Sequence, residues 1–351
     1  MITDYQWIDD NSELEALILS INKNDAVAFD SEFERVNTFY PKPALFQLKI
    51  DKQYYLVDMK EITNYSVFTK LLDNIILHSG SEDLEILYNL NKKLPTQVFD
   101  TQIAASLCGY GLHFSYQNIV SELLGVELSK AHSRSDWMQR PLSSEQIEYA
   151  LDDVVYLSEL KNILDTKLQE NDRVEWYDLL VKQRLNSIVF SNHIDKTFVK
   201  IAKSKRFDIR QQKQLYALLK WREGIAKKRN KPRPWILKND EIVNIIYKQP
   251  TRMNQFIDDI GLYPGFVKYH LDNIVELYEN AKGIEDDALP KFDKLNAKQG
   301  VKLAEVKQEL MIKCEQLNIP AALVINMSDL KSLVAADKEL SDIDLWQIIH
   351  K

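Results

Sequence analysis

With 351 residues, 45% of them apolar and 28% charged, the chain has the composition of a globular protein and the length of two or three domains. No apolar run approaches the ~18 residues that a membrane span needs, and the acidic start MITDYQWIDDNSE lacks the basic flank and apolar core of a signal peptide. Cys108 and Cys314 stand alone without zinc-ligand spacing, which predicts reduced core thiols in a cytoplasmic protein without a membrane role. The net charge of −7 hides an asymmetry: residues 1–160 carry 12 Lys+Arg against 25 Asp+Glu, whereas residues 196–240 carry 15 against 3.

Residues 11–22 predict a short amphipathic helix, with Ser12 as its N-cap and Leu14, Leu17, Ile18 and Ile21 on one side. Residues 26–33, AVAFDSEF, predict a strand of buried type that nevertheless holds Asp30 and Glu32 two residues apart. Side chains alternate along a strand, so both carboxylates share a face, about 6 to 7 Å apart. Two like charges on one face suit either a solvated edge strand or a divalent cation held by hard carboxylate oxygens. Residues 44–50 and 54–58 predict two more strands, joined at Asp51-Lys52 after a break at Pro41 and Pro43, so the sheet starts as an antiparallel meander.

Residues 66–72 predict a helix and 75–78 another strand, ending at Ser79-Gly80. The helix that follows, in GSEDLEILYNL, has Ser81 as its expected cap and Glu82, Asp83 and Glu85 in its first turn. Acids there complement the helix dipole, but a strand-to-helix junction also lies at the carboxyl edge of a sheet, where open α/β folds build sites. Asp100 is the expected cap of a segment turning from strand to helix in VFDTQIAA, and residues 113–124 predict a helix closed by Gly125. Ser143 and Gln146 form a capping box for one helix of roughly 25 residues, 144–168, on which Tyr149 and Asp153, four apart, share a face.

Residues 176–205 are helical and increasingly basic, a linker by pattern. Residues 207–283 predict four or five helices with Pro232 and Pro234 in a basic loop, and 301–317, 328–335 and 342–350 a last helical unit. Phe207, Tyr216, Trp221 and Trp235 interrupt the basic block, an interleaving that suits either a solvated helix face or a phosphate backbone with its bases.

The segments FDSEFERVNTFYPKPALFQL, LHSGSEDLEIL, FDTQIAASLCG and SRSDWMQRPLSSEQIEYALDDVVYL, with the helical region 207–285, resemble the ribonuclease D family, in the tyrosine-bearing branch of the DEDD exonucleases. The resemblance implies an α/β exonuclease domain, a ribonuclease H-like mixed sheet with flanking helices, followed by all-α HRDC domains. The bounds it suggests are 1–170 for the exonuclease, 171–206 for a helical basic linker, 207–285 for the HRDC domain and 286–351 for a degenerate second one. By the same resemblance Asp30, Glu32, Asp83 and Asp153 would be ligands of two divalent ions, Mg²⁺ or Mn²⁺, and Tyr149 would hydrogen-bond the attacking water. Two such ions about 4 Å apart supply a hydroxide equivalent and offset charge on the leaving 3′ oxygen. The implied protein is a monomeric 3′-to-5′ exoribonuclease that releases nucleoside 5′-monophosphates and trims tRNA precursors and other small structured RNAs. Lys227, Lys228, Arg229, Lys231 and Arg233 would grip RNA. A 3′-to-5′ DNA exonuclease and a non-catalytic RNA-binding scaffold are the alternatives, because the 2′-OH contact is not readable from these residues.

Overall fold

The computed structural model describes residues 4–22, 25–68, 73–129, 135–189, 193–291 and 295–349. A six-stranded sheet is built from β1 (Gln6–Ile8), β2 (Val27–Glu34), β3 (Lys42–Ile50), β4 (Gln53–Asp58), β5 (Asn74–Leu77) and β6 (Gln97–Asp100), in the spatial order β1-β4-β3-β2-β5-β6. β2, β3 and β4 form the expected antiparallel meander, while β1 on β4, β5 on β2 and β6 on β5 are parallel. The sheet is therefore mixed. β2 lies inside it, and Val27, Ala28 and Phe29 are wholly buried, which places its carboxylates on a core strand and not on a solvated edge.

Several local expectations need correction. Asp10, not Ser12, caps α1 (Asn11–Ser20): its backbone is extended and its Oδ1 accepts from the amides of Ser12 (2.7 Å) and Glu13 (3.3 Å), the work a cap performs. Gly80, not Ser81, occupies the cap position of α2 (Ser81–Asn91), without a side-chain bond, and the Ser81 hydroxyl instead accepts from the Arg184 guanidinium. Pro43 lies within β3 and not in a break, paired with Phe33 across an irregularity after Glu32. α3 (Thr101–Leu107) carries the Asp100 cap as expected, but α4 (Tyr116–Leu124) starts after Ser115 and not at His113, whose φ of 57° is outside helical space. Tyr65–Val67 is a single 3₁₀ turn; the rest of the helix expected over 66–72 falls largely outside the described residues.

The single long helix expected from Ser144 is two, α5 (Ser144–Val155) and α6 (Leu157–Glu170), parted at Tyr156 (φ −103°, ψ 0°). No glycine or proline causes the break. The Tyr116 hydroxyl enters it, donating to the Asp152 carbonyl (3.0 Å) and accepting from the Tyr156 amide (3.2 Å). α7 (Val174–Val189) buries Trp176, Tyr177 and Val181 in the same core as α6.

The chain divides into two compact units. One holds the sheet and α1 to α7. The other comprises Arg35–Tyr40 and Ser191–Asp293 and contains α8 (His193–Lys205), α9 (Ile209–Arg229), α10 (Arg233–Ile236), α11 (Asn239–Lys248) and α12 (Pro264–Asn280) around Phe198, Leu215, Leu218, Ile242, Phe256 and Ile274. The segment read as a linker thus forms two helices, α7 in the first unit and α8 in the second. The last helices, α13 (Ala297–Gln316), α14 (Ala321–Val324), α15 (Met327–Ala335) and α16 (Asp344–Ile349), belong to the first unit, where Leu310, Leu330 and Trp346 share one core with Ala28, Ile76 and Leu164.

Candidate active site

β2 brings Asp30 and Glu32 to the same face, as the two-residue period requires, and its irregularity follows directly at Glu32/Phe33. α5 brings Asp153 to them: carboxylate oxygens of Asp30, Glu32 and Asp153 all lie within 4.8 Å of one another. Asp83, third residue of α2, lines the same cavity and is 8% exposed. Tyr149 lies one helical turn before Asp153, and its hydroxyl donates to the Asp153 carboxylate. All five residues singled out in the first unit therefore line one cavity of about 680 Å³.

Apart from Asp100, expected as a helix cap, the supporting side chains were not singled out from sequence. Ser31, between the two strand acids, donates its hydroxyl to Asp83 Oδ1 and so ties α2 to β2. Asp100 Oδ1 accepts from the amides of Ser79 (3.1 Å), Gln102 (2.9 Å) and Ile103 (3.3 Å), so the cap of α3 also holds the turn that launches α2 and aims Asp83. Tyr116 fixes the helix break beside Asp153, and Trp137, buried, stands 6.0 Å from the Tyr149 ring, centroid to centroid. His78, also in the wall, donates through Nε2 to the Phe114 carbonyl (3.0 Å). Ser31 carried a sequence signal in its position within D-x-E and Asp100 one as a helix cap, but the bond from Ser79 to Asp100 and the contacts of Tyr116, Trp137 and His78 join separate elements and carried none.

No lysine or arginine lines this cavity among the described residues. Burial, then the charges of Asp83, Asp153 and Glu32, pushes Asp30 well above the carboxylate range. Burial followed by Asp153 and Asp83 pushes Glu32 up to about 9. Asp153 is pushed up to about 8 by burial, against the Tyr149 hydrogen bond, and Asp83 to about 6 by burial, against the Ser31 hydrogen bond. Tyr149 is held firmly as a phenol by burial and then by the charge of Asp153. Four inward carboxylates without a cation among them make a donor set for hard divalent ions, whose charge would restore their ionisation. A group of this kind fits the residues present.

The basic residues lie in the second unit. Lys228 and Arg229 are exposed in the last turn of α9. Lys227 lies 3.7 Å from Glu223, Lys231 lies over the Trp235 ring at 5.5 Å, and Arg233 is engaged bidentately with Glu223 at 2.6 and 2.8 Å.

Comparison with known proteins bears on both units. Residues 5–169 match a 3′-5′ exonuclease family and residues 211–278 the HRDC domain. Ribonuclease D of Shewanella sp. (strain ANA-3) is 32% identical over 322 residues, covering 90% of this chain and 82% of the relative. That of Escherichia coli (strain K12) is 30% identical, with coverage of 82% and 77%. The crystal structure of Escherichia coli RNase D, described as an exoribonuclease involved in structured RNA processing, superposes with a TM-score of 0.84 at 27% identity, over 95% of this chain and 90% of that one. The catalytic core of RRP6 from Trypanosoma brucei, at 19% identity, TM-score 0.59 and 82% coverage of each chain, shares the fold.

Proposed function

The chain belongs to the ribonuclease D family and is a 3′-to-5′ exoribonuclease, and we propose that its work is the 3′ maturation of tRNA precursors and other small structured RNAs. The observation that carries the catalytic reading is the convergence of Asp30, Glu32 and Asp153 within 4.8 Å in a cavity that also holds Asp83 and Tyr149. The family is metal-dependent and the acidic cluster is present. In our reading two ions, Mg²⁺ or Mn²⁺, serve the site: Asp30, Glu32 and Asp153 would hold one, and Asp83 would act on the second. Ions so held would supply an activated water and offset charge on the leaving 3′ oxygen.

The chain's own groups do the positioning. Tyr149 stays protonated across the physiological range, so its hydroxyl orients water by hydrogen bonding and does not act as a base. Ser31 and Asp100 keep Asp83 aimed, and Tyr116 keeps Asp153 at its turn. Buried Trp137 packs behind the Tyr149 ring and limits its motion. We assign 1–170 to the exonuclease domain, 207–285 to the HRDC domain, and Lys227, Lys228, Arg229, Lys231 and Arg233 to RNA contact, in a cytoplasmic monomer.

Matched RNA and DNA oligomers, labelled at either end, with Mg²⁺ or EDTA, test the reading. Stepwise release of 5′-monophosphates from the 3′ end of RNA, abolished by EDTA, is expected. Equal or faster digestion of DNA would move the assignment to a DNA exonuclease, and binding without hydrolysis would make the chain a scaffold.

A further inference from the structure

Between β2 and β3 the chain makes a strap, Arg35–Tyr40, that packs as part of the helical unit. Phe39 is buried against Ala226 and Ile236, with the Arg233 guanidinium 4.4 Å above its ring. Asn230, in the left-handed cap position after α9, accepts through Oδ1 from the amides of Phe39 and Tyr40, both at 3.0 Å. The strap forms one wall of a second cavity, of about 520 Å³.

The charge of that cavity is one-sided. Arg35, Lys200, Arg222, Arg233 and Lys238 line it, and among its described lining residues there is no carboxylate. Glu223 is committed to Arg233, and Glu241, which is not among the lining residues, accepts from the Lys238 amide at 2.6 Å and lies 3.7 Å from its ammonium. Arg222 is 4% exposed, yet its Nη1 bonds only neutral oxygens, the Leu237 carbonyl (2.9 Å) and Asn239 Oδ1 (2.8 Å). Its Nε, also buried, has no hydrogen-bond partner among the described residues. A guanidinium buried on neutral acceptors is costly until an anion arrives. Burial and then Arg233 pull Arg222 down to about 10, and the same two causes, in that order, lower His193 in the cavity wall. In both groups the Arg233 charge adds to the larger effect of burial, against a smaller opposite pull from Glu223. Next to Pro234 in this wall, Trp235 is 59% exposed with Lys231 over its ring, an aromatic platform of the kind on which an unpaired base stacks.

We propose that this cavity is a phosphate site for the RNA backbone, taking a phosphodiester of a single-stranded stretch whose neighbouring base lies on Trp235. The proposal rests on the exoribonuclease reading for its ligand, and it narrows the basic block to one cavity, where Lys200, Arg222 and Lys238 act with Arg35, outside that block, beside Trp235. The strap gives the site its specific shape, since a free helical bundle would lack the wall that carries Arg35.

The test uses the full chain in EDTA and a fluorescent single-stranded RNA of about twenty nucleotides across a salt series. Lys200→Gln with Lys238→Gln, both at exposed positions, is expected to weaken binding about tenfold and to lower the salt slope by roughly 0.7 for each phosphate that is no longer neutralised. Trp235→Ala is expected to weaken binding at least fivefold with the slope unchanged, since stacking releases no counterions. Unchanged affinity and slope in the double variant would overturn the proposal. Tight, saturable binding of inorganic phosphate to the wild type, abolished in the double variant, would overturn it in favour of a site for the free anion. Hydrolysis of labelled RNA by the wild type with Mg²⁺, run in parallel, checks the exoribonuclease reading separately, because failure there leaves the binding comparison intact.

Discussion

The acidic cavity of the first unit and the basic cavity of the second pose the same electrostatic problem with opposite sign. In the acidic one, burial and then neighbouring carboxylates push Asp30 and Glu32 upward, and relief comes from neutral donors, among them the hydroxyls of Ser31 on Asp83 and Tyr149 on Asp153. In the basic one, Glu223 supplies an internal counter-charge, and Arg222 rests on carbonyl-type oxygens. The first arrangement is incomplete without external cations, whereas the second is already partly neutralised. Removing a single acid should therefore be catastrophic, and removing a single base merely graded.

The largest effect that sharpens this contrast is expected for Asp30→Asn. Asp30 faces all three other acids, so its replacement should disrupt ion binding and lower turnover by at least ~10³, about 4 kcal/mol in the barrier. RNA binding, which the proposal assigns to the other unit, should persist. Near wild-type turnover in single-turnover assays would break the comparison at its root.

Next in size is Tyr149→Phe. If, as proposed, the phenol orients water and does not grip RNA, turnover should fall roughly ten- to a hundredfold with little change in the Michaelis constant. A raised Michaelis constant at unchanged turnover would make it a binding residue.

On the basic side, Gln at Lys227, Lys228 and Arg229 together should weaken RNA binding several-fold and flatten its salt dependence by roughly 0.7 per phosphate let go. Superimposable salt lines for this triple variant and the wild type would make the last turn of α9 a solvated face.

The smallest effect is on stability. Glu32 titrates at about 9 in the fold but near ~4.3 in an unfolded chain, so the folded state binds the extra proton between those values. The associated stability is present below about pH 4 and is lost as pH rises through 9. Glu32→Gln should then melt a few degrees above the wild type at pH 8 in EDTA and close to it at pH 4. Adding Mn²⁺ to the wild type should narrow the gap at pH 8. Equal melting temperatures at pH 8 in EDTA would mean that the acids do not repel as described.

What was legible in the sequence follows from local period. Two-residue alternation put Asp30 with Glu32, four-residue spacing put Tyr149 with Asp153, and a strand-to-helix junction flagged Asp83; all five meet in one cavity. What was not legible depends on residues far along the chain. The break at Tyr156 is made by Tyr116, forty positions away, and nothing in LDDVVYLSEL announces it. β1 is three residues long and exists through its parallel partner β4. Asp10 won the cap of α1 from Ser12 because its carboxylate reached two amides at once. The strap reads as a loop until Asn230, some 190 residues later, receives its amides.

The core shared by the central strands and the last helices bears on how such a chain is made. Leu345, Trp346 and Ile349 complete the hydrophobic cluster that also contains Ala28 and Ile76, on strands flanking the acidic cavity. On a ribosome, N-terminal segments emerge first, and contacts so distant in sequence close last. The side of the sheet that carries Ala28 and Ile76 keeps part of its apolar surface uncovered until residues near 349 have left the exit tunnel. Until then a nascent chain is an unfinished nuclease, its acids set on a sheet whose core is still open, close to RNA of the kind that the folded enzyme hydrolyses.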